Sequence, residues 1–156
     1  PASANTDPII KQKADQKIDG ELRGYYALIL EDVKTLCTQY GANVPVLLHP
    51  YDHPIPDGRW VWGGSANPWS WLYPYITTDK GYDLAVGKQI MRDIIDKFHA
   101  MQKSLAAQYP NVTVVGTPGT LGAFPDYKEY WENELHPRPE GVVQIGKKFA
   151  DVLNDL

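Results

Sequence analysis

Apolar residues along the chain recur mostly at spacings of three and four, broken by two short continuous apolar runs. From about Ile9 to Tyr40 the pattern is helical, with Leu22, Tyr25, Tyr26, Ile29, Val33, Leu36 and Tyr40 on one stripe. Gly20 and Gly24 interrupt its first half, so the pattern is cleanest over 20–40, and Gly41-Ala42-Asn43 is a stop signal. Val44-Pro45-Val46-Leu47-Leu48 then reads as a strand buried on both faces, as in a parallel sheet, with Pro45 tolerated only near its start or at an edge. A helix is predicted over about 83–108 from Leu84, Gly87, Met91, Ile94, Phe98, Met101 and Leu105. Tyr109-Pro110-Asn111 ends it, and Val112-Thr113-Val114-Val115 is a second strand closed by Gly116. The last helix starts near Pro139, a favoured first-turn residue, with Val142, Ile145, Phe149, Val152 and Leu156 on one face.

Between these elements lie an irregular lead-in (1–8), a connection rich in Pro, Gly and Trp (49–80), and a second loop (117–136) with one helical turn expected near 126–131. A connection as long as 49–80 inside one domain is more often functional than filler. Strands alternating with helices imply an α/β architecture around a parallel sheet. Two short strands cannot cover three large apolar helix faces, and a typical sheet has about five strands. The expectation is a single domain over 1–156 that is the C-terminal part of a larger one, its missing strands supplied by another chain or by an absent segment.

Composition adds mainly exclusions. The chain has 156 residues, 43% hydrophobic and 22% charged, an ordinary globular balance, and a formal net charge of −4 that gives nucleic acid no reason to bind. No apolar run approaches the roughly 20 residues of a membrane span. The first residue is Pro1 and not Met, so a processed, trimmed or partial product is expected, with the loss of a leader left open. The one cysteine, Cys37, sits among apolar helix positions and reads as a structural thiol, leaving the compartment open, with a secreted or periplasmic setting slightly favoured.

Chemistry concentrates in two loops. His136, at the mouth of the last helix in Trp131-Glu132-Asn133-Glu134-Leu135-His136-Pro137, is a candidate general base. His49, Asp52 and His53 cluster just after the first strand; their spacing matches no standard metal site, so pocket lining is preferred to metal binding. Trp60, Trp62, Trp69, Trp71, Tyr73 and Tyr75 form an aromatic belt that reads as a lid or pocket wall, with Asp57 and Arg59 at its edge. Ser65, in Gly63-Gly64-Ser65-Ala66, follows no strand and lacks the geometry of a nucleophile turn. Phosphate loops and dinucleotide fingerprints are absent, and no cofactor is expected.

Asn133-Glu134-Leu135-His136-Pro137, then Glu140-Gly141 and an amphipathic helix, resembles the C-terminal block of the SGNH (GDSL-type) esterase and lipase superfamily. Val46-Leu47-Leu48-His49-Pro50-Tyr51-Asp52-His53-Pro54-Ile55-Pro56-Asp57-Gly58 resembles the fourth-strand region and following loop of some bacterial members, and Pro68-Trp69 and Gly81-Tyr82 fit the same subgroup. The resemblance covers about residues 25–156. It implies a three-layer α/β/α, flavodoxin-like fold to which this chain gives about two strands and three main helices. It also implies hydrolysis of a small carboxylic ester through a covalent serine ester, with His136 as base and a pocket of His49, Tyr51, Asp52, His53, Trp60, Trp62, Trp69 and Trp71. The family's Gly-Asp-Ser nucleophile motif and oxyanion-hole motifs are absent; Ala4-Asn5-Thr6-Asp7 is a faint echo of one. The nucleophile is therefore expected on a partner polypeptide, such as the N-terminal half of the same precursor. Asn133 stands where the family has the orienting aspartate, three residues before the histidine, so Asn133 or Glu134 is the expected orienter. The alternative is a non-catalytic binding module that keeps this half of the fold, with a Trp-rich loop for carbohydrate or another ligand.

Overall fold

The structure, a computed structural model, describes residues 8–60, 70–122 and 126–156. Helix α1 (Pro8–Ala14) runs into a π-helical stretch (Asp15–Leu22) and on into α2 (Arg23–Tyr40). Ala14 and Leu22, at the two junctions, both keep helical angles of φ −64° and ψ −42°, so the chain is helical throughout from 8 to 40. The weakly patterned half around Gly20 takes the π form, and Lys97, on the helix Leu84–Ala106, clips it there through Asp15 at 2.8 Å and Asp19 at 2.6 Å. Gly41, at φ 61° and ψ 29°, ends α2 in the left-handed conformation that glycine adopts without strain.

Strand β1 (Val46–Leu48) begins immediately after Pro45, and its parallel partner β2 (Val112–Val114) pairs Val46 with Val112 and Leu48 with Val114. Between them lies α3 (Leu84–Ala106), capped by Asp83, whose carboxylate accepts from the Val86 N–H at 2.8 Å. A π-helical turn (Pro74–Asp79) precedes it, a 3₁₀ turn (Asp126–Glu129) falls in the loop after β2, and α4 (Pro139–Asn154) closes the described chain. The protein is thus mixed α/β, mostly helical, with a two-stranded parallel sheet among the described residues. No helix among them is long and apolar enough to cross a membrane.

The main core gathers Ile18, Leu30, Met101, Leu105 and Tyr109, with Val46, Leu48 and Val112 packed against it, so α2 and α3 cover one face of the strands. Tyr26 meets Phe98 edge-on across this seam, with ring centroids 5.7 Å apart. The buried line of α2 is centred on Leu30, and much of the expected stripe faces outward: Tyr25, Ile29, Leu36 and Tyr40 are exposed, Tyr40 to 74%. Helix α2 is apolar around most of its circumference, so a three-to-four spacing alone did not single out the face that α3 would cover. Of the face expected for the last helix, Val142 on α4 and Leu156 beyond its end are likewise exposed, while Ile145, Phe149 and Val152 are half-buried. Cys37 is a free, half-buried thiol.

Both strands lack a second neighbour among the described residues. Val46 donates to the Asn111 carbonyl and Leu48 accepts from the Val115 N–H, so the parallel ladder turns the Leu47 N–H and C=O to the outer edge.

Candidate functional site

The site is built from the loops that follow the C-terminal ends of β1 and β2, where ligands bind in open parallel sheets. After β1 the chain turns at Tyr51, whose φ of 82° is the one positive value outside glycine among the described residues. That conformation costs a bulky side chain roughly 1–3 kcal/mol. It is held by the Thr117 hydroxyl, which donates to the Tyr51 carbonyl at 2.8 Å, and by the edge of Tyr51 against Trp131, centroids 5.9 Å apart.

The turn delivers Asp52 to the interior, where its carboxylate accepts from the backbone N–H groups of His53, Gly119 and Leu121. Asp52 is 2% exposed, and these donors join the loop after β1 to the loop after β2. His53 points the other way: its Nε2 lies 2.8 Å from Asp96 on α3, and its Nδ1 is 3.8 Å from Asp52. Farther along, Asp57 takes the Arg59 Nε at 2.7 Å and the Tyr127 hydroxyl at 2.8 Å, while Arg59 also donates to the Trp131 carbonyl. Burial first, then the bond to Asp57, pushes the Tyr127 hydroxyl up to about 12.

The segment 131–137 is a tight loop closed by a bridge between Trp131 and Pro137, with Arg138 N–H donating to the Tyr130 carbonyl at 2.8 Å. Helix α4 starts directly against it. A Cβ on Gly141 would stand 2.5 Å from the Tyr130 carbonyl oxygen, so only glycine lets the first turn of α4 approach this closely. Trp131, Asn133 and Glu134 are buried and His136 is exposed.

Asn133 and Glu134, adjacent in sequence, go to different places. The Asn133 Oδ1 accepts from the backbone N–H of Leu135 and of His136, each at 2.9 Å, and lies 3.1 Å from His136 Nδ1. Two backbone donors identify that side-chain atom as the oxygen, which makes Nδ1 of a neutral His136 the donor and leaves Nε2 with the free lone pair. Glu134, fully buried, turns toward the long loop and accepts from the backbone N–H groups of Gly58, Trp71, Leu72 and Tyr73 at 2.8–3.1 Å. Its oxygens are committed to the loop backbone, so of the two expected orienters the one in contact with His136 is Asn133.

The other expected residues scatter. His49 is exposed and meets Phe149 of α4 edge-on at 5.3 Å. Trp60 and Trp71 are exposed, Trp71 to 60%, whereas Trp62, Trp69 and Ser65 lie outside the described residues, as does Asn5. No three His, Cys, Asp or Glu side chains converge as a metal site among the described residues. Sequence reasoning missed the anchoring function of Glu134 and the Asp57–Arg59–Tyr127 cluster. The apolar neighbours of Glu134, Trp131 and Leu135, hinted at burial, but its amide partners come from 61 to 76 residues away. No family model, curated protein or solved structure matches the chain.

Proposed function

We propose that this chain is the C-terminal part of an SGNH-type serine ester hydrolase, with His136 as general base and the nucleophile on a partner polypeptide. One observation carries the reading: a buried amide oxygen, fixed by two backbone donors, holds the ring of an exposed histidine by Nδ1 and presents Nε2 to incoming chemistry. In the proposed reaction Nε2 takes the proton of a serine hydroxyl as that oxygen attacks an ester carbonyl. The tetrahedral intermediate collapses, the protonated imidazole passes its proton to the leaving alkoxide, and water repeats the sequence on the acyl-serine. Asn133 fixes the productive tautomer but brings no charge to the imidazolium.

The partner completes the sheet in this reading. The outer edge of β1 offers Leu47 backbone groups, and α2 and α4 leave Tyr25, Leu28, Ile29, Val142 and Val143 exposed. A strand added beside β1, with further strands beyond it, would give these faces cover and produce the three-layer form. The test is to isolate the native assembly and treat it with a serine-directed phosphonate. The expected result is a second polypeptide that takes the label, with turnover abolished by His136→Ala in this chain. A monomeric chain that no phosphonate labels would overturn the reading. It would favour instead a binding module, which the exposed rings of Trp71, Tyr73 and Tyr75 support as a stacking surface for a sugar.

A further inference from the structure

An apolar cavity lies away from His136, between the first helical stretch, α3 and the π-helical turn Pro74–Asp79. Its volume is about 520 Å³, within the roughly 300–1,000 Å³ of small-molecule sites. The walls include Ile18, Leu72, Ile76, Ile90, Ile94 and Phe98. Carboxylates are absent from the lining among the described residues, and its charged members are the cations Lys13, Lys17 and Lys80. Lys17 is paired with Glu21, and Lys80 sits 5.6 Å from the ring centroid of Tyr75. Lys13 and Lys80 form no ion pair among the described residues.

We infer that this cavity binds a long-chain amphiphile with one anionic head, of the fatty carboxylate class. An apolar chain fits walls that would leave the hydroxyls of a sugar or polyol without hydrogen-bond partners. The exposed Lys13 and Lys80 give the lining a positive charge, with no carboxylate among its described residues to oppose an anion. Half-buried Met91, Ile94, Ile95 and Phe98 on α3 gain cover when the chain enters. One wall is also anchored: the backbone N–H groups of Trp71 and Leu72, both lining residues, are held by the Glu134 carboxylate. The site stands independently of the hydrolase reading, because it uses neither His136 nor a partner chain.

The experiment is displacement of a fluorescent polyene fatty acid from the purified full chain by oleate and by oleyl alcohol, below their micelle concentrations. Saturable displacement by both is expected, tighter for oleate and weakening with added salt. The Lys13→Glu, Lys80→Glu double variant, altered only at the rim, should weaken oleate by about tenfold and oleyl alcohol by less than about twofold. Ile94→Trp should fill the cavity and remove both ligands while the helical circular dichroism stays unchanged. Absence of saturable binding by the unaltered chain, undiminished binding to a folded Ile94→Trp variant, or equal loss of acid and alcohol on charge reversal would each overturn the proposal.

Discussion

At the loop end of the sheet, Glu134 takes four backbone amides and Asp52 takes three, and each carboxylate is almost wholly dehydrated. Along the body, α2 leaves Tyr25, Leu28, Ile29, Leu36 and Tyr40 in solvent, and α4 leaves Val142, Val143 and Leu153. These two buried carboxylates are therefore satisfied inside the fold, while both helices leave large apolar side chains uncovered. The physics of the two is asymmetric. A buried carboxylate without donors costs several kcal/mol and must be satisfied within the fold, whereas an exposed aliphatic side chain forgoes only about 1.5–3 kcal/mol of burial, which an added surface can still supply.

Breaking the polar side of this contrast should have the largest effect. Glu134→Ala strips four amides of their acceptor, and about 3–5 kcal/mol of unfolding free energy should be lost in urea denaturation, together with protection of the 58 and 71–73 amides in hydrogen exchange. Asp52→Ala removes the tie between the two loops and should cost about 2–3 kcal/mol by the same measurement. A much smaller loss from either would mean that water enters these loops and that the polar side is not closed as described.

Tyr127 tests the same region through pH. Its hydroxyl is held protonated to about 12 in the folded chain against an unfolded value near 10. The stability it contributes is complete below pH 10 and is lost as pH rises through 10 to 12, since the unfolded state releases its proton first. Tyr127→Phe should flatten stability over that window, followed by denaturation at stepped alkaline pH, and at neutral pH should cost about 1 kcal/mol for the lost bond to Asp57. The smallest effect belongs to the apolar side. Tyr25→Lys with Ile29→Lys should change the stability of the isolated chain by less than about 0.5 kcal/mol for each substitution. The same pair should abolish co-purification of the proposed partner. A large destabilisation of the chain alone would show that this face is already covered.

Local signals made most of the elements legible. The helix over 84–106, its stop before Tyr109-Pro110-Asn111, both strands and the start of α4 at Pro139 follow from period, proline and glycine placement, which act within a few residues. Asn133 was singled out only by its place in the resemblance, three residues before His136 and beside Glu134 as the other candidate; the tight loop brings its amide to the ring. The functions of Glu134 and Asp52 were not legible: their donors lie tens of residues away, and no local pattern states which backbone a carboxylate will meet.

By itself, the sequence determined where most helices and strands form; it raised the expectation of further strands and left Asn133 and Glu134 both open as partners of His136. Tertiary structure alone decided which line of α2 is buried, sent Glu134 to the long loop and not to His136, and opened a cavity between the first helix and α3. The division has one cause: hydrogen-bonding period and chain stiffness act between near neighbours, whereas burial of a face or of a charge depends on which distant segment arrives to cover it.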